Sequence, residues 1–167
     1  MKNNGLFCTL FLESLKKAAA LDDAGSGRMA TLSQTWRTRD TQSGSSLWDS
    51  FMKQAVSYLE FVPPVRAEIR GVYPLFEDYS FSNCIAVLYL IEPGADIDDT
   101  SVGRFYPAKL LAQLRKRNLH WGILTDCGRW RLYSLRSSRP YEDFVELSLE
   151  ETLARDDEAE YGLFERF

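Results

Sequence analysis

The sequence has few of the residues on which zinc sites, disulfide frameworks and hydrolytic triads depend. It contains one histidine, His120, and three cysteines that lie far apart, Cys8, Cys84 and Cys127. No second histidine and no closely spaced cysteine pair accompany them, so Cys/His metal sites and His-based nucleophilic catalysis have little support. An odd number of scattered cysteines favours a reducing compartment, and we therefore expect a cytoplasmic protein.

Long apolar runs are also missing from this chain. No stretch of about 18 apolar residues occurs, which excludes a membrane-spanning helix. The apolar start is interrupted by Glu13 and two lysines and is not followed closely by a small-residue cleavage site, so it is typical of an amphipathic helix. The 167 residues, of which 45% are hydrophobic, are enough to bury the core of one domain of ordinary size.

Charge is distributed unevenly along the chain, although the net charge is only −4. Residues 104–139 contain nine basic residues and one acidic residue, whereas residues 140–167 contain two basic and ten acidic residues. A concentrated basic segment is what contact with a phosphate backbone requires, because neutralised phosphates release their counterions. The alternative is that the acidic tail folds over the basic segment and neutralises it.

Apolar spacing predicts helices in the first third of the chain. A first helix is expected over residues 5–21, and residues 22–46, rich in Gly, Ser, Thr and Asp, are expected to form a flexible loop. A second helix runs from Leu47 to Glu60 and ends before Pro63 and Pro64. We therefore predict an N-terminal helix (1–21), a flexible linker (22–46) and a single α/β domain (47–167).

The rest of the chain alternates between strand and helix patterns. Residues 65–73 alternate as a half-buried strand does, and residues 84–91 form an apolar run typical of a central strand covered on both faces. Residues 104–118 carry an apolar stripe opposite basic side chains, which predicts a helix lying on a sheet. A short strand at 144–147 and a helix starting at Ser148 follow. A final helix ends on Leu163 to Phe167, whose apolar side chains the sequence leaves uncovered, so we expect a truncated C-terminus.

Residues 121–133 predict a β-hairpin. Two short strands, 121–125 and 129–133, flank the turn Asp126-Cys127-Gly128, in which glycine supplies a positive φ. Alternation places Trp130 and Leu132 on the inner face. Arg129, Arg131 and Tyr133 are expected on the opposite, outer face.

This order of elements is compatible with the layered α/β plan of restriction-endonuclease-like nucleases, a central mixed sheet flanked by helices. Such a plan needs carboxylates that hold Mg²⁺, and Asp78 and Glu92 are the candidates for both metal binding and catalysis. The lysine expected two positions after the second acid is replaced by Gly94. Lys109, in the following helix, is the candidate for a displaced catalytic lysine. If the site is active, the chain is a Mg-dependent DNA endonuclease of the PD-(D/E)xK type that lacks the usual lysine.

Phosphate contacts are expected from the basic segment and its neighbours. The candidate DNA-binding residues are Lys116, Arg117, Arg129, Arg131 and Arg136. The alternative function is a protein-interaction scaffold that makes no contact with nucleic acid.

The stretch Leu119 to Tyr133, L-H-W-G-I-L-T-D-C-G-R-W-R-L-Y, resembles a hairpin of large single-chain restriction-modification enzymes similar to type IIG enzymes. In that family a nuclease-like N-terminal domain precedes an adenine-specific DNA methyltransferase. Weaker similarities lie in residues 5–12, 144–149 and 164–167. The resemblance implies a role in restriction or phage defence, with DNA and a downstream methyltransferase domain or subunit as partners. Two departures stand out: the family's Glu-x-Lys is Glu92-Pro93-Gly94 here, and no methyltransferase motif occurs.

Overall fold

The computed structural model describes residues 1–8, 11–14 and 25–155, together with Tyr161 and Phe164. The strands are β1 (Lys2–Asn4), β2 (Val72–Phe76), β3 (Cys84–Leu90), β4 (Trp121–Thr125), β5 (Arg129–Ser134) and β6 (Phe144–Ser148). The helices are α1 (Gly25–Thr38), α2 (residues 44–58), α3 (Tyr106–Arg117) and α4 (Leu149–Arg155). Within these described residues, no helix has the length and apolarity that crossing a bilayer requires.

The six strands form one mixed sheet in the order β1-β6-β5-β4-β3-β2. Only β3 and β4 pair in parallel, and the other neighbours are antiparallel. A parallel pair needs a crossover connection, and α3 supplies it between β3 and β4. The α/β class and the mixed sheet flanked by helices are therefore confirmed.

The best-predicted strand is β3, which is covered on both faces as its apolar run indicates. Ala86, Leu88 and Leu90 pack in the core beneath α2, whereas Val87 and Ile91 pack beneath α3. The strand expected over residues 65–73 is wrong for most of its length. Within residues 65–71 only Ile69 forms a bridge, with Val72, where β2 begins.

The predicted linker contains a helix that the sequence reasoning missed. Residues Gly25–Thr38 form α1, and Met29 and Leu32 on one of its faces are buried in the core beneath α2. The prediction of a flexible loop is therefore wrong over α1, because two apolar side chains at helical spacing outweigh a polar composition. Of the first predicted helix, residues 11–14 are helical, and residues 15–21 lie outside the described part of the chain. Strand β1 precedes this helix.

Helix α2 starts with a cap and then changes its winding. Ser43 caps it by accepting a hydrogen bond from the backbone N–H of Ser46. The helix runs as Gly44–Leu47, widens to a π-helix over Trp48–Met52 and continues as Lys53–Tyr58. The wide turn directs Trp48 into the core, where its ring stacks on Tyr73 with centroids 3.6 Å apart.

Two of the C-terminal aromatic residues are covered, contrary to expectation. Tyr161 and Phe164 are buried in the core beneath α2, and the Phe164 ring meets Trp130 edge-on at 5.1 Å. The other residues of the final predicted helix lie outside the described residues.

Gly71 closes the turn into β2 and allows close approach of β3. Its φ is +78°, its carbonyl accepts a hydrogen bond from the Leu90 N–H at 2.8 Å, and a Cβ there would lie 2.6 Å from the Leu90 carbonyl oxygen. Gly94 has a similar φ of +83°, but a Cβ there would meet nothing within 4 Å. Substitution at Gly94 therefore reports the cost of the positive φ alone, whereas substitution at Gly71 reports that cost together with a steric clash.

We predict that Gly71→Ala is more destabilising than Gly94→Ala. The positive φ should cost about 1 kcal/mol in both variants, and the clash with Leu90 should add about 1–3 kcal/mol at Gly71 only. Urea unfolding measures both free energies. Equal losses in the two variants would show that β3 moves away from residue 71 without cost.

Candidate functional site

Glu92, the predicted second metal ligand, already has a cationic partner. It follows β3, and Arg70 Nε donates to its Oε1 at 2.8 Å while the Gly44 N–H donates to its Oε2 at 3.3 Å. A cavity of about 320 Å³ adjoins this pair and is also lined by Ser43 and Tyr73. Both carboxylate oxygens therefore accept hydrogen bonds from within the chain.

Asp78, the predicted first metal ligand, lies far from Glu92. Asp78 follows β2 and Glu92 follows β3, and because these strands are antiparallel the two residues lie at opposite ends of the pair. The seven-residue length of β3 separates them by about 20 Å. Asp78 instead accepts hydrogen bonds from the hydroxyl and the backbone N–H of Ser80, which lower its pKa. One ion cannot bind both carboxylates.

Lys109 does not complete a metal site in the described residues. Its ammonium lies 5.0 Å from the centre of the Tyr106 ring, a cation–π contact within α3. Among residues 1–8, 11–14 and 25–155, no group of three or more His, Cys, Asp or Glu side chains could hold a metal. The residues nominated for Mg²⁺ therefore do not fit the ion.

The predicted hairpin is confirmed, with one change in its turn. Strands β4 and β5 pair from Trp121 opposite Ser134 to Thr125 opposite Trp130. The positive φ, 80°, belongs to Cys127 and not to Gly128. The Thr125 hydroxyl accepts a hydrogen bond from the Cys127 N–H at 2.9 Å, which stabilises this conformation.

The expected outer face of β5 is not a solvent-exposed surface. Arg131 is only 4% exposed and Tyr133 only 1%. Tyr133 packs in the core beneath α3, because the sheet is covered on this side as well. Period-two alternation assigns residues to faces, but it does not show which face is covered.

Arg129 and Arg131 are engaged by carboxylates. Arg131 donates to Asp98 at 2.6 Å and to Glu146 at 2.5 Å. Arg129 donates to Asp98 and to Asp126, each at 2.8 Å, and to Asp96 at 3.2 Å. We call this network the arginine clamp. It attaches the loop between β3 and α3 to β5 and β6.

The remaining predicted DNA contacts differ in their surroundings. Arg117 donates to Glu68 at 2.6 Å, and Arg136 lies 2.8 Å from the His120 ring nitrogen Nε2. Lys116 is exposed on α3, and no described carboxylate pairs with it. Of the five candidates, Lys116 and Arg136 are exposed and have no described carboxylate partner, so these two stay open to a phosphate group.

A second group of exposed side chains lies along the same helix and was missed from the sequence. Phe105 and Tyr141 are 36% and 40% exposed, and their ring centroids are 6.2 Å apart. The Arg115 guanidinium lies 5.4 Å from the centre of the Tyr141 ring. No sequence signal links Tyr141 to α3, because it comes from the loop between β5 and β6.

A larger cavity of about 700 Å³ opens at the carboxyl ends of β3 and β4. Its lining includes Gly94, Asp126, Cys127 and Arg39, whose guanidinium stacks 3.5 Å above the Trp36 ring. Burial raises the pKa of the Cys127 thiol to about 12, so the thiol is protonated at neutral pH. A protonated buried thiol is a poor nucleophile, so the cavity does not present an activated cysteine.

We predict that Arg131→Leu is more destabilising than Arg129→Leu. Removing Arg131 leaves the largely buried Glu146 without its cation and takes from Asp98 one of its two arginines, which should cost about 3 kcal/mol. Arg129 is 34% exposed, and two of its three partners, Asp96 and Asp98, are well exposed, so its loss should cost about 1 kcal/mol. Urea unfolding at pH 7 measures both, and equal costs would contradict a structural role specific to Arg131.

The Arg131 effect should also depend on pH. Burial alone would raise the pKa of Asp98, but hydrogen bonds and charge from Arg131 and Arg129 hold it below its ordinary value. A carboxylate with a lowered pKa stabilises the folded state above its unfolded pKa and loses that effect as the pH falls through the folded pKa. The stability difference between wild type and Arg131→Leu should therefore shrink in acid.

Comparisons with family models, with curated proteins and with solved structures found no significant match to this chain.

Proposed function

We propose that the chain is a DNA-contacting, nuclease-like domain without cleavage activity, belonging to a cytoplasmic restriction-modification or phage-defence protein. The resemblance of the β4–β5 hairpin suggests this setting, with an adenine-specific methyltransferase domain or subunit downstream. The proposed DNA contact is supported by the basic side chains on the outer face of α3. Lys109, Arg115 and Lys116 occupy this helix, which contains no acidic residue, and no described carboxylate pairs with any of them.

The absence of cleavage activity is supported by the surroundings of Glu92. Arg70 is bound to the carboxylate that a nuclease would use for a metal, and Asp78 lies at the other end of the strand pair. Gly94 replaces the lysine that would stabilise the developing negative charge. The two carboxylates that define this kind of nuclease site are thus separated, and its lysine is replaced by Gly94.

DNA binding should be measured over a salt series with charge-reversed variants. Lys109→Glu/Lys116→Glu should lower affinity at least tenfold at low salt and reduce the slope of log affinity against log salt by about 2, one for each lost contact. The matched control is Arg37→Glu/Arg66→Glu, which makes the same charge change at exposed positions outside α3. Failure of the wild type to bind any DNA at low salt would refute the DNA contact.

Cleavage needs a separate experiment. We expect purified protein with Mg²⁺ or Mn²⁺ to leave supercoiled plasmid intact, because the residues required for a shared metal are not assembled. Nicking that is abolished by both Asp78→Asn and Glu92→Gln would show that the domain is an active nuclease. Nicking that persists in both variants would indicate a contaminating enzyme.

A second candidate function is a protein-interaction scaffold that makes no contact with nucleic acid. The arginine clamp favours it, because Glu146 of the acidic tail and Asp96 and Asp98 of the preceding loop neutralise the two hairpin arginines. Arg139 is likewise paired with Asp143. The salt series separates the two functions, since a scaffold of this kind binds no DNA at any salt concentration.

A further inference from the structure

Two aromatic rings stand next to the cationic face of α3. Phe105 immediately precedes the helix, and Tyr141 reaches it from the loop between β5 and β6. Their centroids are 6.2 Å apart with an angle of 36° between the ring planes. More than a third of each side chain is open to solvent, so both rings can contact a ligand without any change in the core.

Cations border these rings on the helix itself. Lys109 and Lys116 are seven residues apart, which places them on the same side of the helix about 10 Å apart along its axis. Arg115 lies on the side of Tyr141, and its guanidinium is 5.4 Å from the centre of that ring. The surface therefore combines two exposed rings with three cations that no described carboxylate neutralises. We call these five side chains the ring and lysine surface.

We propose that the ring and lysine surface binds single-stranded DNA, with unpaired bases against Phe105 and Tyr141 and the backbone along Lys109 and Lys116. This proposal rests on the proposed DNA contact and specifies the form of DNA. In a duplex the faces of the bases are stacked on one another, and exposed rings can reach base edges, sugars and phosphates but not the faces. In a single strand every base offers a face for stacking, and lysines beside the rings attract the phosphates.

No described carboxylate pairs with the three cations of this surface, and this separates it from the arginine clamp. There, Asp96, Asp98 and Glu146 occupy the guanidinium groups that a phosphate would need. On α3, Lys109 contacts the face of Tyr106 and Arg115 that of Tyr141, and an aromatic ring does not neutralise a positive charge. A polyanion that carries aromatic groups complements the positive charge of such a surface and can stack on its rings.

The test compares a labelled oligo(dT) with a blunt DNA hairpin of equal nucleotide number, by fluorescence anisotropy at several salt concentrations. Wild type should bind oligo(dT) at least tenfold more tightly than the duplex. Phe105→Ala/Tyr141→Ala should lose at least tenfold in oligo(dT) affinity with an unchanged salt slope, since stacking involves no counterion release. Tyr141→Phe should keep the affinity, because it preserves the ring.

The matched control is Tyr79→Ala/Phe81→Ala, which removes two exposed aromatic side chains from the loop between β2 and β3. It should bind oligo(dT) as wild type does, and circular dichroism checks that all variants are folded. If the duplex and oligo(dT) bind with equal affinity, or if Phe105→Ala/Tyr141→Ala loses no affinity for oligo(dT), the single-strand proposal is wrong. The proposed DNA contact is unaffected by either result. Binding to neither DNA would overturn both proposals.

Discussion

The structure depends on the ion pairs of Arg131, a nearly buried side chain between Asp98 and Glu146. Through Asp98 this arginine holds the loop that joins β3 to α3, and through Glu146 it crosslinks β5 to β6. An arginine in such a position must keep its partners, because a buried guanidinium without a carboxylate is strongly destabilising. The loop that follows Glu92 is therefore held against the hairpin, and the start of α3 is positioned with it.

The ion pairs of Arg131 reduce the number of basic side chains that the segment 104–139 can offer to a partner. In the sequence, residues 104–139 look like one continuous cationic stretch, whereas in the structure they divide into two groups. Arg129 and Arg131 are taken up by carboxylates that stabilise the fold. Lys109 and Lys116 stay on the outer face of α3, facing away from the sheet. The charge available to a partner is therefore set by three-dimensional pairing and not by local composition.

Features that depend on local periodicity were predictable. The hairpin, β3 and α3 follow from alternation, an apolar run and a helical stripe, each contained within about fifteen residues. Features that depend on distant partners were not. Arg131 binds Asp98 and Glu146, which are 33 and 15 residues away, and no single-sequence pattern connects them. Likewise, Lys116 was identified from its charge, but Tyr141 was missed because only folding brings it to α3.

The two edges of the sheet determine how partners can approach it. At one edge, β1 has three residues, and at the other, β2 contains Pro74, which has no N–H to donate. An added strand needs an uninterrupted row of main-chain donors and acceptors, and a short strand or a proline breaks that row. Growth of the sheet by edge-to-edge pairing is consequently disfavoured. A partner that binds side chains of the helices and loops avoids this limit, and specificity carried by side chains can change by point substitution without altering the main-chain framework.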